Sequence, residues 1–226
     1  MTRPAVSIVV PVLDEAGQIE ATLAALSPLR RQGTEVIVVD GGSQDGTVAL
    51  ARAEADAVLD APRGRARQMN AGAAAARGEV LLFLHADTIL PTEADRHVLR
   101  AVAGGRDWGR FDVRIAGRHP MLRVVAMLMN WRSRLTGIAT GDQAIFVRRE
   151  LFQRIGGFPD QPLMEDIELS RRLRRVSAPA CLPARATTSG RRWESRGVWR
   201  TIFLMWRLRW RYWRGESAHR LAAAYR

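Results

Sequence analysis

The chain has 226 residues, 47% of them hydrophobic, with 35 basic against 23 acidic side chains and one cysteine. This suits a single large α/β unit and excludes a disulfide scaffold or a cysteine-ligated zinc site. Every basic residue is arginine, which rules out a Walker A lysine, a Schiff-base lysine and any lysine nucleophile.

Charge is uneven along the chain. Residues 1–95 hold 8 Arg and 13 acids, residues 96–226 hold 27 Arg and 10 acids, and the total is +12. The second half is thereby turned toward an anionic partner. No apolar run approaches the ~20 residues of a membrane-spanning helix, and the expected location is cytoplasmic.

The first ninety residues alternate strand and helix. Ser7–Val12 is a continuous apolar run of the kind buried on both sheet faces, followed by Ile19, Leu23 and Leu26 at helical spacing. Glu35–Asp40 repeats the strand signal, and 45–52 reads as a helix. A short strand at 57–59 precedes an Ala-rich helix over 66–76, which Gly78 closes, and Val80–Leu84 is a fourth strand. Repeated βα units predict a doubly wound, mostly parallel sheet. Beyond residue 90 the pattern gives a helix at 93–102, a half-buried strand at 109–115, and a Met-rich helix at 120–135. A strand at 143–147, a helix at 149–155, the Gly156–Pro159 turn and a helix at 165–175 follow. No linker or repeat interrupts the chain, so one domain over 1–190 with a helical extension over 191–226 is expected.

Ligands of open parallel sheets bind at the carboxyl ends of strands, which makes the polar residues placed there the first candidates. Asp14-Glu15 follow the first strand, Asp40 the second and His85-Ala-Asp87 the fourth. The segment Asp40-Gly-Gly-Ser-Gln-Asp-Gly-Thr47 combines a carboxylate suited to ribose or base with glycines, Gly42 among them, that let backbone approach a ligand. Arg63, Arg65, Arg67, Gln68 and Asn70 crowd the entry to the third helix. There a helix N-terminus with arginine forks suits a diphosphate, and the amides suit a base or ribose. An oxygen ligand at Asp87 suits Mg2+ or Mn2+ bridging phosphates. Glu165-Asp166 open a helix, where acids either stabilise the dipole or supply a general base.

In this order, Ser7–Val12 with Asp14-Glu15, Val38–Thr47, Arg67-Gln-Met-Asn-Ala-Gly72, Phe83–Thr88, Gly141-Asp142, Ile155–Phe158 and Glu165-Asp166 resemble the family-2 glycosyltransferases of GT-A fold, in their small bacterial branch. The resemblance covers about residues 5–175. It implies transfer of a sugar, with inversion, from a nucleotide-diphosphate donor to an acceptor hydroxyl, using Mg2+ or Mn2+. It also implies roles. Pro11, Glu15, Asp40 and Gly42 would line the nucleoside pocket, and Arg67 would meet the phosphates or base. Asp87 matches the last acid of the family's DxD motif, a metal ligand, with His85 in place of the first acid. Asp142 would lie on the donor side, Asp166 would be the base, and Glu165 would orient it or reach the acceptor. Arg192-Trp193 are similar to the element that covers the diphosphate.

The tail has its own pattern. At ~100° per residue, Trp199, Phe203, Trp206, Trp210 and Trp213 fall on one stripe with Arg200, Arg207, Arg211 and Arg214 beside it, and Leu204 and Leu208 opposite. The stripe either packs on the protein's own core or lies on an anionic membrane surface. The second option adds a peripheral position on the inner face of the cell membrane and a lipid-linked or apolar acceptor to the expectations. Two rival functions are a nucleotidyltransferase and a non-enzymatic binder of anions such as nucleic acid or membrane. Acid clusters at the strand ends repel a polyanion, so no nucleic-acid partner is expected.

Overall fold

A computed structural model describes residues 4–225; the outermost residues of the expected two-part division, 1–3 and 226, lie outside it. The chain runs β1 (Val6–Val12), α1 (Ala16–Arg31), β2 (Glu35–Asp40), α2 (Thr47–Glu54), β3 (Ala57–Asp60), α3 (Arg65–Ala75), β4 (Val80–Phe83), β5 (Thr88–Ile89) and α4 (Ala94–Ala103). It continues through β6 (Trp108–Ala116), α5 (Met121–Thr136), a 3-10 turn (Gly141–Gln143), β7 (Phe146–Arg148), α6 (Arg149–Arg154) and α7 (Glu165–Arg174). The last elements are β8 (Ala180–Ser189), α8 (Arg191–Arg196), α9 (Val198–Trp213) and α10 (Ala218–Tyr225).

The strands form one eight-stranded sheet in the order β3-β2-β1-β4-β7-β6-β8-β5. The pairs β1–β2, β1–β4, β2–β3 and β6–β8 are parallel, while β7 runs antiparallel to β4 and β6, and β5 antiparallel to β8. The sheet is therefore mixed and mostly parallel. Alternate residues of β1 feed opposite cores. Ile8 and Val10 pack with Ile19 and Leu23 of α1 and Val98 of α4, and Val9 packs with Met69 and Ala73 of α3 and Leu169 of α7. Gly72 makes the second contact close enough, since a Cβ there would stand 2.4 Å from Val9 Cγ1.

Two differences from the expected elements matter. The strand expected at 143–147 begins only at Phe146, because Gln143 closes a 3-10 turn in which it and Thr140 cap each other in a capping box. The ten-residue β8 was not expected at all. Pro183 interrupts its run, a register shift opposite Phe111/Asp112 breaks its alternation, and it is half-buried for most of its length.

Candidate active site

The order of the sheet reverses at β1, which has β2 on one side and β4 on the other, so the crevice opens outside the carboxyl ends of β1 and β4. The loops there are sewn together. Ser43 Oγ accepts the Asp14 N–H (2.9 Å), Thr47 Oγ1 accepts that of Glu15 (2.8 Å), and Asp45 accepts that of Ala16 (3.0 Å). Asp40 is buried and turns its carboxylate onto its own loop, accepting the N–H groups of Gly42 (2.8 Å) and Ser43 (2.9 Å). Gly42 sits at φ +96°, a conformation that side chains resist. Pro11 lies opposite Val39 in the β1–β2 register, beneath this loop.

The amides expected to face a nucleoside hold backbone instead. Gln68 is buried and donates to the carbonyls of Val12 (2.7 Å) and Val39 (2.9 Å). Asn70 donates to Phe158 O and accepts the Phe158 N–H, at 2.9 and 3.0 Å. Arg67 makes a two-pronged ion pair with Asp160, at 2.8 and 3.0 Å, in the loop after Phe158. The arginine that meets the carboxylates of the crevice is Arg65, 3.7 Å from Glu165 and electrostatically coupled to Asp142 and Asp166.

Glu165 and Asp166 begin α7 after Met164, which takes a left-handed turn at φ 65°. The Asp166 carboxylate accepts two backbone N–H groups, from Gly141 (2.9 Å) and Ile167 (2.7 Å). Ser170 fixes the Gly141 loop on α7 by accepting the Ala139 N–H at 3.1 Å. Met69, Phe83, Ile145 and Phe158 line a small cavity together with His85, Gly141, Glu165 and Asp166. Burial, and then the like charge of Glu165, push the Asp166 carboxyl up to about 6, against the pull of its two backbone donors and of His85. An acid held near neutrality in a partly apolar cavity is what general-base chemistry needs.

His85 contacts Asp142 at 3.3 Å and packs closely on Gly141, where a Cβ would meet its Nε2 at 2.3 Å. Burial raises the Asp142 carboxyl, but the hydrogen bond and charge of His85, with Arg65 and Arg192 near, outweigh it and hold the group low. On the β1 side, burial and the neighbouring charge of Asp87 raise Glu15, against Arg191, Arg65 and Arg192. Glu15 and Asp87 therefore share one stretch of the crevice, with Arg191 3.9 Å from Glu15. Arg192 hydrogen-bonds the Tyr225 hydroxyl and stacks 5.3 Å from its ring centroid, while Trp193 packs into the apolar cluster of Val113, Leu122 and Val198.

Among the described residues no three His, Cys, Asp or Glu side chains gather as a metal-ligand set. Asp87 still fits a hard divalent cation. Among the described residues its carboxylate accepts one long hydrogen bond, from Thr88 Oγ1 at 3.4 Å, and its charge adds to that of Glu15 across the crevice. Such cations keep waters and take one or two carboxylates with substrate phosphates.

One residue that sequence patterning did not single out belongs to this region. Arg132 of α5 has its Nε and Nη2 buried with no hydrogen-bond partner among the described residues. Burial, against the attraction of Asp166, pulls its guanidinium below its ordinary value. Nothing in the sequence separates it from the other arginines.

The sequence model of Glycosyl transferase family 2 matches residues 7–156. The chain belongs to this family. It is 36% identical over 95 residues to the glycosyltransferase AglE of Haloferax volcanii, covering 38% of this chain and 31% of that protein. It is 26% identical over 239 residues to the probable glycosyltransferase YdaM of Bacillus subtilis, covering 95% of this chain and 56% of that one. Among solved structures it resembles the mannosyltransferase PcManGT of Pyrobaculum calidifontis, determined with GDP-Man and Mn2+. The TM-score is 0.62 at 27% identity, over 82% of this chain and 57% of that chain. This family 2 chain thus has the GT-A glycosyltransferase fold and spans from 31% to 57% of the length of these relatives.

Proposed function

We propose that the chain transfers a hexosyl group, with inversion, from a nucleotide-diphosphate sugar to an acceptor hydroxyl. The observation that supports this most is Asp166. It is a carboxylate pushed up to about 6, set in a partly apolar cavity and joined through Arg65 to the crevice of Glu15 and Asp87.

In this reading Pro11, Glu15, Asp40 and Gly42 form the nucleoside end, Asp40 by holding its loop in shape. His85, braced by Asp142, faces the donor. Arg65 would meet the diphosphate, Arg192 adds positive charge from its place against Tyr225, Trp193 supports that edge from its apolar cluster, and Arg67 supports the wall through Asp160. Asp87 would hold Mg2+ or Mn2+, whose charge would offset that of the leaving diphosphate. Asp166 takes the proton of the acceptor hydroxyl as its oxygen attacks the sugar's anomeric carbon. The bond to the diphosphate breaks on the opposite side, so the configuration inverts. Glu165 tunes Asp166 by its charge. A lipid-linked or apolar acceptor would require the chain to reach a bilayer, a property of its C-terminal surface, not of the crevice.

The test is a panel of nucleotide sugars, each with Mn2+ or Mg2+, read as release of free nucleoside diphosphate. Metal-dependent release from one donor, lost in Asp166→Asn, is the expected result. Pyrophosphate as product, or release that persists in Asp166→Asn, would overturn the proposal.

A further inference from the structure

Of the twelve large apolar side chains left exposed among the described residues, ten lie on two helices, α5 and α9. On α9, Trp199, Phe203, Trp206, Trp210 and Trp213 are 56% to 78% exposed. The opposite side of the helix is fully used. Val198 and Ile202 pack with Leu122 and Val125 of α5, and Leu204, Met205 and Leu208 pack with Met164 and with Leu221 of α10. The alternative left open by periodicity is thereby decided: the leucines are the packed side and the indoles face outward. Helix α5 adds a second stripe of the same kind, with Val124, Met127, Leu128, Trp131 and Leu135 turned away from the cluster that joins the two helices.

The flank of this surface is cationic. Arg200, Arg207, Arg211 and Arg214 follow the Trp stripe along α9, which contains no acid. Arg211 is paired with Glu216 and Arg214 lies over the Trp210 ring at 5.1 Å, while Arg200 and Arg207 have no ion pair among the described residues. Residues 191–226 hold ten Arg and two acids.

We propose that α5 and α9 together form a docking face for an anionic lipid bilayer. Three features select this occupant. Indoles with adjacent guanidinium groups match the headgroup layer, where a ring is half apolar and its N–H stays wet. No helix among the described residues is long and apolar enough to cross a membrane, so the face lies on the bilayer. A second copy of the same face would oppose arginine to arginine, which disfavours self-association. Leu208 packs with Met164, the residue before Glu165-Asp166, so the docked surface lies one helix away from the proposed base.

The experiment is co-sedimentation of the full chain with vesicles of phosphatidylcholine, with and without phosphatidylglycerol, at low and high salt. Tryptophan emission and solution mass are recorded alongside. The chain is expected to pellet with the phosphatidylglycerol vesicles only, to release with salt, and to shift its emission to shorter wavelength on binding. Replacing Trp206, Trp210 and Trp213 by Ala removes binding with an unchanged melting temperature. Arg200→Gln and Arg207→Gln each weaken it about fivefold. Equal pelleting of wild type and the triple variant, or no pelleting, overturns the proposal. So does a dimer that forms without lipid and is lost in the triple variant. None of these readouts depends on sugar transfer, so this proposal and the catalytic one fail separately.

Discussion

In the loops after β1 and β2, the polar side chains are spent on one another. Asp40 holds its own loop, Gln68 ties together the ends of β1 and β2, and Asp14, Ser43, Asp45 and Thr47 stitch neighbouring loops. After residue 120 the same kinds of group are left unbalanced. Asp166 is half-buried beside a like charge, Arg132 keeps two buried nitrogens without acceptors among the described residues, and the aromatic stripe of α9 stands in solvent. A satisfied network resists rearrangement, while an unsatisfied group is stabilised by whatever arrives to complete it. In the proposed reading the first region is a preformed cradle and the second carries the reactive and contacting surfaces.

The largest effect expected on this contrast is from Asp166→Asn, which removes the proposed base. Turnover should fall ~10²–10⁴-fold while donor affinity, measured by calorimetry, stays as it was. Asp87→Ala should cost the metal-dependent part of donor binding, on the order of a hundredfold; titrations with and without Mn2+ should then coincide.

A change inside the cradle should act on stability instead. Gln68→Leu takes one donor from each of the strand-end carbonyls of Val12 and Val39, Val12 keeping the Gly41 N–H, and is expected to cost about 1–3 kcal/mol in chemical denaturation, with the sugar donor's KM little altered. A large KM increase at unchanged stability would instead place the amide on the ligand and break the contrast.

The smallest effects concern pH. Burial and Glu165 both disfavour the charged form of Asp166, so the folded chain keeps that proton up to about pH 6. Turnover should be full above this pH and decline as pH falls through it. Glu165→Gln removes a repelling charge and moves the midpoint down, whereas Arg132→Met removes an attracting one and moves it up. At pH 6, where about half of the groups are ionised, rates should rise by up to about twofold in the first variant and fall roughly twofold to fivefold in the second. Shifts of the same sign in the two variants would show that the Asp166 environment is set by packing alone.

Much of the architecture was legible because burial writes a local period into each segment. Ser7–Val12, Glu35–Asp40 and Val80–Phe83 each carry their own apolar signal. The strand-end acids could be placed because a strand's exit fixes its next residues. β8 was not legible, since Pro183 and its half-exposed side chains blur the alternation. Within the site, Arg65 and Arg67 look alike in sequence, and only the position of Asp160 decides which of them is occupied elsewhere. Arg132 gave no signal because burial of one arginine among many depends on which way α5 faces.

The amino-acid order by itself determined a βα-repeating chain with carboxylates at the strand ends and a tail of arginine and tryptophan, because these follow from neighbours in sequence. The proton affinity of Asp166, the partner of each arginine and the outward face of α9 were decided only by tertiary structure. Each of these depends on groups brought together from distant parts of the chain, at distances over which desolvation and charge act.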